Sequence, residues 1–162
     1  MLTYEQIIQK TIPLETAVKL LTPAFRTNRR VVFTNGCFDI LHRGHIYLLS
    51  RARELGDLLI VGLNSDASVT RLKGPGRPVN NQESRAEVLG ALAFVDKIIV
   101  FEEDTPLDMI RILKPDILVK GGDYKLEEIV GHREVASAGG RVETIPMLQG
   151  YSSSAIIDRK KQ

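Results

Sequence analysis

The sequence predicts a doubly wound α/β fold with one parallel sheet. Short apolar runs rich in β-branched residues recur along the 162 residues, and amphipathic helical patterns alternate with them. The runs are apolar throughout, as expected of strands that helices cover on both faces. Alternation of strand and helix patterns is typical of a parallel sheet built from β-α-β units.

Five strands are predicted, one from each apolar run. In chain order they cover residues 30–34, 58–63, 97–101, 116–120 and 141–146. The first crossover helix follows the first strand and ends at Gly56. Its apolar face has near-helical spacing and consists of Ile46, Leu49, Ala52 and Leu55.

The later helices are recognised by their ends. Asn80 and Glu83 have the spacing of a capping box and predict the start of the second helix. Pro106 opens the third helix and Pro115 follows its end, because proline fits the first turn of a helix but not its interior. A fourth helix is expected over residues 132–138, and a fifth begins within 152–154.

Residues 1–28 are predicted to form an N-terminal helical extension. Residues 29–162 form a single domain, and the chain is long enough to bury a proper core. The extension could cover that core or form a contact between two copies. Its expected packing face consists of Ile7, Ile8, Leu14, Val18 and Leu21.

Composition and charge exclude several classes of function. The 22 basic and 20 acidic residues nearly balance and the basic ones are scattered, so nothing predicts a nucleic-acid surface. No apolar run has membrane-spanning length, and the first residues do not form a signal peptide. Cys37 is the only cysteine, which excludes an intramolecular disulfide. We expect a protein of the reducing cytoplasm, without membrane or nucleic-acid partners.

The stretch TNGCFDILHRGH, residues 34–45, leads from the first strand into the first helix. Ligands of such sheets bind beyond the carboxyl ends of the strands, and the N–H groups of a helix start favour anions such as phosphate. Gly44 lets the backbone come close to such an anion. His42 and His45 can donate hydrogen bonds to phosphate oxygens, and they bear charge more strongly as negative charge builds up.

Two other interpretations of this stretch stay open. His42 and His45 can be ordinary surface residues, since a short histidine motif alone is a weak signal. Together with Asp39 they can also form a zinc site. The positive end of the helix dipole opposes that site, because it repels a cation.

Polar or glycine-rich motifs follow three other strands. NSD at 64–66 follows the second strand, KGGDY at 120–124 ends the fourth, and GYSSS at 150–154 precedes the last helix. The serines can cap that helix or bind phosphate together with its N–H groups. The paired glycines can form a tight turn or let a flat base lie against the backbone.

Three basic residues lie near these motifs. Lys73 and Arg77 belong to the glycine- and proline-rich segment 73–78, an ordered or closing loop, and Arg85 follows in the second helix. Each alone would be a solvated surface charge. Together, beside two helix starts, they predict a polyphosphate clamp.

Several motifs together resemble those of the cytidylyltransferase-like nucleotidyltransferases. NGCFD at 35–39 followed by HRGH at 42–45 resembles their HxGH signature, and the serines at 152–154 are similar to a second signature before the last helix. TNGCFDILHRGH, LNSDASVTRLKGPGRPVN, FVDKIIVFEEDTP and LKPDILVKGGDY are similar, in this order, to the heptose 1-phosphate adenylyltransferases. The resemblance extends over about residues 29–159 and implies a Rossmann-like fold.

The resemblance implies a reaction. ATP and D-glycero-β-D-manno-heptose 1-phosphate, with Mg²⁺, would give ADP-heptose and pyrophosphate, for the heptose of lipopolysaccharide or capsule. The sugar phosphate would attack the α-phosphorus directly, so positioning and electrostatics would supply the acceleration. A separate heptose kinase is implied, because many bacteria fuse a kinase in front of this domain and the chain resembles a stand-alone form. A homo-oligomer, dimeric or larger, is also expected.

The resemblance further implies residue roles, with no metal-binding residue among them. His42, His45 and Lys73 would be catalytic. The acceptor would contact Asp39, Asn64, Asp66 and Arg77, and Asp39 could instead orient a histidine. The nucleotide would be held by Asn35, Gly36, Cys37, Phe38, Gly44, Arg85, Lys120, Gly121, Gly122, Asp123, Tyr124, Ser152, Ser153 and Ser154.

Two alternative functions remain. One is a glycerol-3-phosphate cytidylyltransferase-like enzyme that uses CTP, with the choice of base set by the turn after the fourth strand. The other is a non-catalytic nucleotide sensor on the same fold. Loss of His42, His45 or Lys73 would favour the sensor, and all three are present.

Overall fold

The computed structural model describes residues 1–148, 150–151 and 156–157, and its centre is a parallel sheet. The strands are β1 Val31–Gly36, β2 Leu58–Asn64, β3 Lys97–Phe101, β4 Ile117–Gly121 and β5 Arg141–Ile145. Every pairing is parallel, and the order across the sheet is β3-β2-β1-β4-β5. The doubly wound, Rossmann-like α/β fold with five strands is confirmed.

Helices precede β1 and connect the strands. They are α1 Tyr4–Ile8, α2 Leu14–Leu20, α3 Pro23–Arg26, α4 Arg43–Glu54, α5 Asp66–Lys73, α6 Gln82–Gly90, α7 Leu107–Leu113 and α8 His132–Ser137, with a 3-10 helix at Leu126–Glu128. α7 and α8 lie close to their predicted positions. The predicted fifth helix begins in residues outside the described part of the chain.

The sheet is buried on both faces, which explains the continuous apolar runs. Val31 and Phe33 point to a core that Leu113 of α7 completes. Val32 points to the opposite core, together with Leu49 of α4. Successive residues of a strand face opposite sides, so each strand supplies both cores.

The start of α6 differs from the prediction by one residue. Asn81 is the N-cap, and its side chain accepts a hydrogen bond of 2.9 Å from the N–H of Ser84. The predicted capping pair of Asn80 and Glu83 is therefore wrong. The side chain of Asn80 instead donates to the carbonyl oxygen of Asp39 at 2.9 Å.

Two further local features differ from the prediction. Helix α5 was missed; Ser65 caps it by accepting a hydrogen bond of 3.2 Å from the N–H of Ser68. Strand β1 extends beyond residue 34, because Asn35 and Gly36 remain paired with β2. The site motif at 34–45 therefore begins inside the strand.

The N-terminal segment forms three short helices and packs against the sheet. Ala17 of α2 is fully buried, whereas Ile8 and Val18, both predicted to pack, are each 45% exposed. Thr11 forms a parallel bridge with Ile98 of β3, so this segment covers one edge of the sheet. Within the described ranges, no helix combines the length and apolar character needed to cross a membrane.

Candidate active site

A cavity with two adjoining lobes lies beyond the carboxyl end of β1. The large lobe has a volume of about 600 Å³ and the small lobe about 210 Å³. We call the residues that line both lobes the junction: Asn35, Gly36, Cys37, Phe38, His42, His45, Lys120, Tyr124 and Met147. Strand order reverses where β1 lies between β2 and β4, and open α/β sheets bind ligands at such a point.

His42 begins helix α4 and belongs to the junction at the same time. Its backbone is extended, and its ring Nδ1 accepts a hydrogen bond of 3.1 Å from the N–H of Gly44. A neutral imidazole that accepts at Nδ1 carries its proton on Nε2. His42 therefore has an N–H left to donate to a ligand in the cavity.

The two histidine rings stack on each other. The ring centroids of His42 and His45 are 3.8 Å apart at an interplanar angle of 25°, and Phe38 packs against His45 at 5.1 Å. Burial lowers the pKa of His45, and His42 lowers it further, to about 4. Burial also lowers the pKa of His42. Both rings are thus neutral at neutral pH in the free protein and act as hydrogen-bonding groups, not as resident charges.

The backbone around the histidines restricts which residues can occupy neighbouring positions. A Cβ on Gly44 would lie 3.0 Å from ring atoms of His42. Phe38 is buried and adopts the left-handed conformation with φ 45°, which is costly for a residue with a side chain. Such strain persists where the surroundings hold it, often at functional sites.

Lys120 and Lys73 bring positive charge to the cavity. Lys120, the last residue but one of β4, lies in the junction, and burial lowers the pKa of its amine. Lys73 ends α5 and lines only the large lobe. Cys37 also lines both lobes, and burial raises the pKa of its thiol, so it remains protonated and is a poor nucleophile.

Asp39 holds the loop that carries Arg77. Its carboxylate is 2.6 Å from the Arg77 guanidinium and accepts backbone hydrogen bonds from Val79 and Asn80, at 2.8 and 3.0 Å. Asp39 is 2% exposed and has no hydrogen bond to a histidine among the described contacts. Its role in the free protein is to fix this loop, although both Asp39 and Arg77 line the large lobe.

Arg85 does not line the cavity, which contradicts its prediction as a phosphate ligand. Its side chain is fully buried and donates to the carbonyl oxygens of Cys37, Asn64 and Asn80, at 2.6, 2.8 and 3.0 Å. The remaining contact is a 2.8 Å ion pair with Asp66, which lies outside both lobes as well. Arg85 ties three segments around the site together and lines neither lobe.

The other predicted residues are divided between the cavity and its surroundings. Asn64 lines the large lobe, and Gly44 and Gly121 line the small lobe. Gly122 and Asp123 line neither lobe. The predicted phosphate-binding serines Ser152, Ser153 and Ser154 lie outside the described residues.

Several lining residues were not predicted. In the large lobe they are Leu72, Asp104, Thr105, Pro106, Leu118, Glu128, Ile129 and Val130; in the small lobe, Leu48, Ile145 and Pro146; and in the junction, Met147. Asp104 to Pro106 follow the end of β3, so the strand-end rule could have found them. No sequence pattern indicates that the apolar lining residues, such as Leu72 and Ile129, face the cavity. Over the part of the chain that the structure describes, no group of three or more His, Cys, Asp or Glu side chains is arranged to hold a metal.

The fold and the site together define a nucleotidyltransferase-type α/β domain. The Cytidylyltransferase-like family matches residues 33–159. The chain belongs to this family.

Curated relatives carry the name bifunctional protein HldE. The protein from Syntrophotalea carbinolica is 58% identical over 134 residues, which cover 83% of this chain and 27% of that protein. The protein from Bradyrhizobium diazoefficiens is 58% identical over 132 residues, which cover 82% of this chain and 27% of that protein. The chain therefore spans about a quarter of the length of the curated relatives it matches.

Solved structures share the fold. A lipopolysaccharide core biosynthesis protein from Thermoplasma volcanium has a TM-score of 0.61 at 31% identity, covering 77% of this chain and all of that one. Pantothenate synthetase from Thermus thermophilus has a TM-score of 0.64 at 17% identity, covering 93% of this chain and 70% of that one. The second likeness shows the fold alone.

Acid should destabilise the protein through His45. Its pKa falls from 6.5 to about 4 on folding, so the unfolded chain binds more protons between these values and stability decreases as pH drops from about 6.5 to about 4. We expect the thermal unfolding midpoint to fall less between neutral pH and about pH 5 in His45→Gln than in the wild type. His132→Gln, outside both lobes, is the control. An identical acid penalty in the wild type and His45→Gln would contradict a buried neutral imidazole.

Replacing Arg85 should cost stability because it leaves buried carbonyl groups without donors. We expect Arg85→Met to lower the free energy of unfolding in urea by about 3–5 kcal/mol. Arg71→Met removes an exposed ion pair with Asp104 and should cost at most about 1 kcal/mol. Equal effects of the two substitutions would contradict the structural role of Arg85.

Proposed function

We propose that the protein transfers AMP from ATP to D-glycero-β-D-manno-heptose 1-phosphate and releases ADP-heptose and pyrophosphate. The observation that carries this proposal is the two-lobed cavity, whose junction holds two stacked imidazoles and one lysine. Two substrates can meet there with the reacting phosphorus between them. The heptose acceptor is supported by the resemblance of the motifs, by similarity to HldE proteins, and by similarity to a lipopolysaccharide core biosynthesis protein.

The character of the two lobes suggests which substrate each one takes. Leu48, Ile145 and Pro146 line the small lobe together with Gly121, and such an apolar wall suits a flat base. Lys73, beside Asp104 and Thr105 in the large lobe, suits a phosphorylated sugar with many hydroxyl groups. The adenine would lie in the small lobe and the heptose phosphate in the large one.

The reaction is an in-line displacement. An oxygen of the sugar phosphate forms a bond to the α-phosphorus, and the bond from that phosphorus to the bridging oxygen breaks. The bridging oxygen keeps the electron pair and leaves with pyrophosphate. His42 and His45 donate hydrogen bonds to the charge that spreads over the α-phosphate, and no covalent enzyme intermediate is needed.

Magnesium would enter with the nucleotide. Mg²⁺ commonly binds substrate phosphates with one or two carboxylates and keeps several of its waters. Asp104 and Glu128 line the large lobe and could hydrogen-bond those waters. The ion would supply neutralisation of the triphosphate charge, and the chain's residues would position the reacting groups.

A separate heptose kinase would supply the sugar phosphate, and the protein would work in the cytoplasm as a homo-oligomer. The CTP-using alternative and the sensor have no observation in their favour, since the curated relatives are HldE proteins and both motif histidines line the cavity.

A pyrophosphate assay separates these functions. The purified chain is incubated with Mg²⁺, with either ATP or CTP, and with either heptose 1-phosphate or glycerol 3-phosphate. We expect pyrophosphate with ATP and heptose 1-phosphate. Turnover only with CTP and glycerol phosphate would replace the proposal by the first alternative, and no pyrophosphate from any pair would favour the sensor.

Substitution of each motif histidine tests its role in that assay. His42→Asn can keep the helix cap, since asparagine accepts a hydrogen bond from the N–H of Gly44, but it lacks the imidazole donor. We expect His42→Asn and His45→Ala each to lower kcat at least about a hundredfold. His132→Ala should keep the wild-type rate. Near-normal turnover in either cavity variant would exclude that histidine from transition-state stabilisation.

A further inference from the structure

The charges in the cavity are distributed unevenly. Three of its described lining residues are cations: Lys73, Arg77 and Lys120. Lys73 and Arg77 line only the large lobe, and the guanidinium of Arg77 lies 2.6 Å from the carboxylate of Asp39. Lys120 is the only lysine or arginine among the described residues of the junction.

The histidines do not supply a resident charge at the junction. Imidazole has an ordinary pKa of 6.5, and burial lowers the pKa of both His42 and His45. Burial lowers the pKa of the Lys120 amine from its ordinary value of 10.5. Lys120 is therefore the side chain of the described junction that can bring an ammonium group to a bound anion.

The ammonium group of Lys120 has no partner in the free protein. Throughout the described residues it makes no hydrogen bond and no ion pair, although Lys120 is half-buried beside Cys37 and Lys73. Partial burial of an unpaired charge lowers stability. An anion at the junction would pair with it, and the anion that the proposed reaction places there is the α-phosphate.

We propose that Lys120 is a catalytic residue that contacts the α-phosphate where the two lobes meet. The inference rests on the proposed function, because the reacting phosphorus of that reaction lies between nucleotide and acceptor. As the bond to the acceptor oxygen forms and the bond to the bridging oxygen breaks, negative charge spreads over the α-phosphate oxygens. The ammonium group stabilises that charge, and no proton is transferred to or from it.

This role predicts opposite effects on rate and stability. Lys120→Met keeps a long unbranched side chain and removes the charge. We expect its kcat for pyrophosphate release to fall about 10²–10³-fold, with ATP binding by calorimetry weakened less than about tenfold. Its thermal unfolding midpoint without nucleotide should equal or exceed that of the wild type, because an unpaired buried charge is lost.

Two further variants complete the experiment. Lys120→Arg keeps the charge, and its kcat should be at least about tenfold higher than that of Lys120→Met. Lys19→Met, on an exposed position of α2, should match the wild type in every measurement.

The outcomes separate this inference from the proposed function. If the wild type releases pyrophosphate and Lys120→Met keeps kcat within about threefold, the role of Lys120 is wrong and the function stands. If Lys120→Met is instead strongly destabilised and Lys120→Arg recovers no activity, Lys120 is structural. If the wild type releases no pyrophosphate from any substrate pair, the proposed function is wrong, and the role of Lys120 in that reaction is wrong too.

Discussion

The hydrogen bond from the N–H of Gly44 to Nδ1 of His42 connects the fold to the chemistry. It satisfies one of the free N–H groups at the start of α4 and places the imidazole proton on Nε2. His45, three residues on, stacks on that ring because both lie in the first turn of the same helix. Gly44 has no side chain to press on the ring. One capping interaction thus starts the helix and leaves the N–H of His42 free to donate, with the ring of His45 stacked beside it.

Buried polar contacts hold the loops around this pair. Arg85 joins the β1 end, the β2 end and the loop before α6 through three carbonyl groups. Asp39 accepts two backbone hydrogen bonds and the guanidinium of Arg77, so it fixes the loop that follows Lys73. Because such buried polar networks are costly when incomplete, they favour a single arrangement of the site before any ligand binds. Among the described groups, the ammonium of Lys120 and the buried Nδ1 of His45 have no such partner.

The sheet, and the site residues that lie at the ends of its strands, could be predicted from the sequence. Continuous apolar runs predicted the parallel sheet, and Asn35, Gly36 and Lys120, which lie in the last two residues of β1 and β4, do line the cavity. The sequence could not show that Arg85 is buried, because an arginine on a predicted helix has the same pattern whether it faces solvent or carbonyl groups. Asn80 and Asn81 are equally good caps in sequence, and only the contacts of Asp39 decide between them. The large lobe draws its walls from several connections, so its shape follows from packing. The lowered pKa values likewise depend on burial.

A crystal structure with a non-hydrolysable ATP analogue would test where the reacting phosphate sits. The account predicts α-phosphate oxygens at about 2.7–3.2 Å from Nε2 of His42 and from Nζ of Lys120, with the base in the small lobe. A triphosphate bound away from the junction, with the stacked imidazoles and the lysine still free, would contradict it.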